Sequence, residues 1–210
     1  MISFVTGTDL WMQPVLAQTM FADRAAQFSK RLGWPVDVDC YGYERDNYDR
    51  KNPLYIIVAD EYGRHAGSMR IMPTTGPTMI NEVFASALGC GEISDPSVWE
   101  CTRFCLSPSS DPKVAAKLFA SAGWLMREFQ IDSLIAVFDR FMLRRYQRSG
   151  VSPEVLGVGN VAGEEVLAGR WRFNSALLAD LMSLANLDPL ECELSFVNSS
   201  LYRVESRKYA

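Results

Sequence analysis

The chain has 210 residues, 48% of them hydrophobic and 22% charged, which suits one compact domain with its own core. Its formal net charge of -4 lacks the basic surplus on which sequence-wide nucleic-acid binding depends, so a phosphate-bearing partner has to meet a local patch. The N-terminus MISFVTGTDLW has neither the basic nor the apolar region of a signal peptide, and no run approaches the roughly 18 apolar residues of a membrane span, which predicts a soluble, cytoplasmic protein with no membrane partner.

From about 11 to 32, Val15, Leu16, Met20, Phe21, Phe28 and Leu32 recur at spacings of three and four before Gly33 and Pro35, the pattern of a helix with a stop signal. DVDCYGYERDNYDRKN follows, acidic and aromatic without clear periodicity and long for an idle connection; it is a candidate functional loop. PLYIIVADEYGRHAGSMRIM predicts two strands around a turn near Gly63, and PTTGP breaks the pattern. SVWECTRFCL, residues 97–106, has the apolar and aromatic content of a buried strand. A long helix is predicted after Asp111-Pro112, with Phe119, Leu125 and Phe129 on its apolar side. DSLIAVFD is a further strand, RFMLRRYQRSG a short helix closed by Gly150, 155–173 strand-like, and SALLADLMSLAN a helix. This order predicts an α/β fold, a three-layer α-β-α sandwich on a mixed sheet. The whole chain, 1–210, is expected to form a single domain, 1–52 supplying the N-terminal helix and loop and 53–210 the sheet core.

Cysteine usage adds little chemistry. Five cysteines without a CxxC pair, and a single histidine, His65, predict reduced core thiols and no metal site. His65 itself, beside the hairpin turn, reads as a surface or satisfied residue.

The anomaly is the pair of charges in SVWECTRFCL. Moving a lone charge out of water costs several kcal/mol even after the protein relaxes, so Glu100 and Arg103 have to pair or bind something charged. Three apart on a regular strand they face opposite sides. Either a bulge brings them together, or each meets a different partner among Asp46 and Asp49 in the acidic loop, Arg24 on the first helix, and Arg70 at the end of the hairpin.

Four stretches, in this order, resemble the acyl-homoserine-lactone synthases, the LuxI-type autoinducer synthases. ADRAAQFSKRLGW is similar to the family's R-x-x-x-F-x-x-R-L-x-W, ERDNYD to E-x-D-x-x-D, GSMRIMPTTGP to R-L-x-P-T-x-G-P, and ECTRF to E-x-x-R-F. The resemblance implies an N-acetyltransferase-like fold and an enzyme that transfers an acyl group from acyl carrier protein or coenzyme A to the amine of S-adenosylmethionine. Lactonisation then releases methylthioadenosine and the acyl-homoserine lactone used in quorum sensing. S-adenosylmethionine is a substrate here, and no cofactor is implied. The family's essential positions fall on Arg24, Phe28, Trp34, Asp46, Asp49, Arg70, Phe84, Glu100 and Arg103, and the resemblance makes 1–52 a segment that closes over substrate. The chain departs from the family at Cys101, where a small hydroxyl residue is usual, and at Val151, where tryptophan is common.

The chemistry of these residue types agrees. S-adenosylmethionine presents an ammonium, a carboxylate, a sulfonium and an adenine. Arg103 or Arg24 can take the carboxylate, Asp46 or Asp49 the ammonium, and Trp34 can offer a ring face worth about 0.5 to 2 kcal/mol to the sulfonium or adenine. An α-amine titrates at about 7.7 to 8.0 and must lose a proton before it attacks a thioester; Glu100, directly or through water, is the candidate base, and a backbone amide released by a bulge could polarise the thioester carbonyl.

By the same resemblance, Cys101, Phe104, Ala136, Phe138, Met142 and Tyr146 would line the acyl pocket, where Ala136 favours an unsubstituted chain and the two rings a short or branched one. Arg144, Arg145, Arg148, Lys113 and Lys117 could meet an acidic carrier protein or the phosphates of coenzyme A. The competing motif GVGNVAG misses the dinucleotide fingerprint and starts too late for the units that should come after it, so it predicts a turn between strands. The alternatives are another N-acyltransferase of similar fold and a non-catalytic ligand-binding module.

Overall fold

The computed structural model describes residues 1–199, 201 and 202. Seven strands hydrogen-bond in the order β1-β2-β3-β4-β5-β7-β6. They are β1 (Ile2–Thr6), β2 (Leu54–Ala59), β3 (His65–Pro73), β4 (Val98–Leu106), β5 (Ser133–Asp139), β6 (Glu154–Val161) and β7 (Glu164–Arg172). The helices are α1 (Gly7–Leu10), α2 (Pro14–Arg24), α3 (Ala85–Leu88), α4 (Val114–Glu128), α5 (Arg140–Arg148), α6 (Ser175–Ala185) and α7 (Pro189–Val197). The sheet is mixed: β1 runs antiparallel to β2, β4 parallel to β5, and β7 antiparallel to both β5 and β6. The α/β class and the mixed sheet are as the sequence predicts.

The chain divides into two compact units, one of Met1–Arg70, Arg103–Trp124 and the segment from Ser175, the other of Ile71–Thr102 and Leu125–Asn174. In the first, Leu10, Leu16, Met20 and Phe21 pack with Val5, Tyr55 and Ile57. Strand β1 carries no hydrophobic alternation because its first four residues are all buried, and it is the element the pattern misses. Helix α7 is also unforeseen. It starts on an Asp188 cap with Pro189 in its first turn, and its Phe196 ring meets those of Phe4 and Trp124.

The predicted helix at 11–32 becomes α2 followed by a π-helical stretch, Ala25–Arg31, in which Leu32 N–H bonds to Gln27 O, five residues back. Gly33, at φ +68°, ends it, and Trp34 N–H returns to Phe28 O. Such wide turns are rare and gather at functional sites. Here the stretch carries Phe28.

In the second unit the apolar cluster is Ile80, Leu88, Val98, Ile135 and Ala168. The region 155–173 resolves into β6 and β7, joined by Ala162 and Gly163, both at positive φ, the geometry of a two-residue hairpin turn. This accounts for GVGNVAG. The other two glycines of the motif face α3, where a Cβ on Gly157 would lie 2.6 Å from Leu88 O and one on Gly159 2.1 Å from Ala87 O. The glycine-rich run is a packing surface and a turn.

All five cysteines are free thiols; Cys105 and Cys192 are core residues, whereas Cys40 is exposed. Burial pushes the Cys105 thiol up to about 12. Among the described residues no helix is long and apolar enough to cross a membrane.

Gly159→Ala should lower stability by about 1 to 3 kcal/mol, the usual cost of overpacking, read as a fall in the denaturant midpoint at unchanged m-value. An unchanged midpoint would show that α3 does not press on β6.

Candidate active site

Five of the ionic residues singled out in the sequence, Arg24, Asp46, Asp49, Arg70 and Arg103, meet in the first unit, where with Glu44 they close a ring of alternating charge. Arg24, at the end of α2, donates from Nε to Glu44 Oε2 at 2.6 Å and from both Nη atoms to Asp49 at 2.9 Å. Glu44 Oε1 accepts from Nε and Nη2 of Arg103 on β4, at 3.1 and 2.9 Å. Arg103 Nη2 also lies 2.9 Å from Asp46 Oδ2. Asp46 holds Arg70 of β3 through both carboxylate oxygens, and Arg70 Nη1 reaches Asp49 Oδ1 at 2.9 Å, which closes the circuit. Three guanidinium groups and three carboxylates sum to no net charge.

The acidic loop supplies all three carboxylates, and its local structure follows from their spacing. Asp46 caps the short 3₁₀ turn Asn47–Lys51 by accepting from Tyr48 and Asp49 N–H, and Asp49 returns a bond from Asp46 N–H, a reciprocal capping box. The loop is also tied to α2 through Glu44 N–H to Phe21 O. Tyr55 on β2 donates its hydroxyl to Asp49 Oδ1 at 2.6 Å.

Burial alone would raise the Asp49 carboxyl, but Arg24 and Arg70 outweigh it and hold the group far below the usual carboxylate range. Burial would lower the Arg24 guanidinium, yet Asp49 and Glu44 carry it above its ordinary value. Burial and the Asp49 charge both push the Tyr55 phenol up. Arg24 and Asp49 therefore stay ionised while the protein is folded.

Not all members are equally accessible. Arg24 and Asp49 side chains are 1% and 6% exposed, Arg103 and Asp46 10% and 18%. Beside Arg103 stands an aromatic ladder: its guanidinium carbon lies 5.5 Å from the centre of the Phe28 ring, which stacks at 5.3 Å on Trp34, itself 42% exposed. Arg103 is one of the few non-glycine residues at positive φ, +53°. That left-handed step inside β4 departs from extended strand geometry, which for a non-glycine residue costs of the order of 1 to 3 kcal/mol and needs the surrounding contacts to hold it.

Glu100 takes other partners. In the second unit it is buried, and its Oε2 and Oε1 accept the backbone N–H groups of Met79 and Ile80 at 2.8 and 2.6 Å. Phe84, at the end of the π-helical stretch Ile80–Phe84, packs half-buried against the cluster around Ile80.

Of the residues expected in the acyl pocket, Phe104 stacks on Phe119 in the first unit, whereas the rest belong to the second. There Phe138 and Tyr146 meet edge-on at 5.2 Å, and both contact Trp171, whose Nε1 donates to Val151 O at 2.6 Å. Ala136 is buried opposite Gly169, and Met142 sits half-buried on α5. Cys101 is half-buried, and burial is the first cause that pushes the Tyr146 phenol up.

Sequence reasoning missed Glu44, Tyr55 and Trp171. Glu44 was in plain view as the first acid of ERDNYD, but an isolated glutamate in a polar loop carries no sign that it will be fully buried. His65 is a satisfied core histidine: Nδ1 lies 2.7 Å from Asp23 and Nε2 2.9 Å from Ser68 Oγ. Burial lowers its pKa despite the Asp23 hydrogen bond.

Glu44→Ala leaves two buried guanidinium groups short of an acceptor and should cost about 3 to 5 kcal/mol in urea unfolding. Glu165→Ala, which removes the exposed pair with Arg140, should cost at most about 1 kcal/mol. Because folded His65 is neutral and the chain has no other histidine, its share of stability is complete above about pH 6.5 and declines as pH falls below that value, where the unfolded chain takes up the proton first. His65→Gln should flatten the unfolding free energy between pH 7 and 5; an identical slope in both proteins would contradict this.

Residues 10–175 match the family model described as autoinducer synthase. An acyl-homoserine-lactone synthase of Rhizobium etli is 36% identical over 159 residues, covering 72% of this chain and 74% of that protein. Among solved structures, a CoA-dependent acyl-homoserine lactone synthase, BjaI, with SAM and isopentyl-CoA superposes with a TM-score of 0.80 over 89% of this chain and 90% of that one, at 23% identity. A putative N-acetyltransferase from Lactobacillus plantarum shares the fold at a TM-score of 0.57 over 82% and 99% of the two chains, at 12% identity. The ordered motifs, the N-acetyltransferase-like α/β fold and this match over most of its length place the chain in the autoinducer synthase family.

Proposed function

We propose that this protein is an acyl-homoserine-lactone synthase that acylates the α-amine of S-adenosylmethionine. The amine nitrogen attacks the carbonyl of an acyl thioester, the C–S bond breaks, and the carrier leaves as a thiol once it regains a proton. The methionyl carboxylate then displaces the sulfonium from the γ-carbon, giving the lactone and neutral methylthioadenosine. The product would serve as a diffusible signal in quorum sensing.

The observation that carries this reading is the ring of six charges with an aromatic ladder at its accessible side. Of the pairs the sequence leaves open, accessibility favours Asp46 for the ammonium and Arg103 for the carboxylate, because Arg24 and Asp49 are enclosed within the ring. Their role is to hold Asp46 and Arg103 in register. Trp34 would offer its exposed face to the sulfonium or adenine.

Either donor, acyl-ACP or acyl-CoA, brings anionic groups. Helix α5 carries Arg144, Arg145 and Arg148 exposed on a chain of net charge -4, a local patch that would attract them. No nucleic acid, membrane or cofactor takes part in this reaction as proposed.

Purified protein incubated with S-adenosylmethionine and a panel of acyl-CoA and acyl-ACP thioesters should release methylthioadenosine and a lactone in equal amounts. Acylation without methylthioadenosine would favour another N-acyltransferase, and binding without turnover a ligand-binding module. Trp34→Ala should raise KM for S-adenosylmethionine by about 2- to 30-fold at nearly unchanged stability, the worth of one cation-π contact. An unaltered KM would remove the ladder from the substrate site.

A further inference from the structure

We infer that Glu100 is a positioning residue that clamps the Thr78–Phe84 segment, and that it is not the base of the acylation. Each of its carboxylate oxygens accepts one backbone N–H, from Met79 and from Ile80, at the point where the helical stretch 80–88 begins. Leading amides of a helix lack partners within it, and Met79 supplies no side-chain cap. The carboxylate of a neighbouring strand supplies the acceptors instead, through charge-assisted bonds.

The clamp sets the course of the helical stretch. The Ile80 side chain is fully buried in the cluster with Val98 and Ile135, and Phe84, an expected substrate contact, packs against that cluster. Beyond Ile80, Asn81 ties the segment to Ile93 by donating to its carbonyl at 2.8 Å and accepting its N–H at 3.0 Å. On the other side of Met79 the segment carries a load: Thr78 Oγ1 is buried and has no hydrogen-bond partner among the described residues. An unsatisfied buried hydroxyl favours opening of the segment to water, and the two bonds from Glu100 oppose it.

Clamping and proton abstraction conflict on one carboxylate. A base must take up the substrate proton, and protonation turns one of the two acceptor oxygens into a hydroxyl facing an amide N–H. Every turnover would loosen the segment that holds Phe84. Nor does the chemistry require a protein base: an α-amine that titrates at about 7.7 to 8.0 is substantially free at pH 8.

The kinetic half of this inference rests on the acylation reading; the structural half does not. Amide exchange followed by NMR in Glu100→Gln, whose side-chain NH₂ would face a backbone donor, should accelerate at least tenfold at Met79 and Ile80. KM for S-adenosylmethionine should rise more than kcat falls, and residual activity should keep its ascending pH limb near 8. Unchanged exchange, with kcat down a hundredfold or more and the limb lost, would make Glu100 the base and overturn the inference. Thr78→Val, which removes the orphaned hydroxyl at constant shape and leaves Glu100 in place, should slow exchange at the same two amides; faster exchange there would overturn the clamp even if Glu100→Gln does not fold. Because exchange needs no substrate, a failure of the clamp and a failure of the acylation reading are seen separately.

Discussion

Six ionised side chains inside one fold are tolerable only if every charge has opposite charges on both sides of it, and this condition organises the first unit of the protein. Isolated, each ion would cost several kcal/mol to bury; arranged as Arg24, Glu44, Arg103, Asp46, Arg70 and Asp49 in a closed alternation, the group is neutral and each member is hydrogen-bonded twice or more. Such an arrangement need not exceed an apolar core in stability. What it adds is specificity: one helix end, one polar loop and two strands are required to meet in one register. The loop from 37 to 52 has little apolar surface of its own to bury, and the ring is what orders it.

That constraint produces a division of labour. Arg24 and Asp49 are saturated and enclosed, so they can orient but not bind, whereas Asp46 and Arg103 hold the same geometry with part of their surface free. The left-handed step at Arg103 belongs to the same logic. A non-glycine residue stays in that region only where contacts over-determine it, and Glu44 and Asp46 on the guanidinium, with Phe28 beneath it, do so. The strand thus presents a cation beside an aromatic face.

The sequence made the site legible through misplaced charge. Glu100 and Arg103 in an apolar strand demanded partners, and Asp46, Asp49, Arg24 and Arg70 were the available ones; five of those six converge as expected, while Glu100 finds backbone amides that no side-chain pattern advertises. Glu44 escaped notice because burial of a loop residue is decided by tertiary contacts. The strand order was legible where periodicity was strong, and β1 was lost because a strand buried on both faces has none. In GVGNVAG the glycines signalled close backbone approach correctly, but the approaching group is α3, not a nucleotide phosphate.

The coupling within the ring can be measured directly with a double-mutant cycle on Glu44→Gln and Asp49→Asn, two carboxylates joined through the one cation they share, Arg24. If the six groups act as one circuit, the unfolding free energies of the single variants will fail to sum to that of the double by about 1 kcal/mol or more. Additivity within about 0.3 to 0.5 kcal/mol would mean that the pairs are independent, and the ring would then be no more than a coincidence of neighbours.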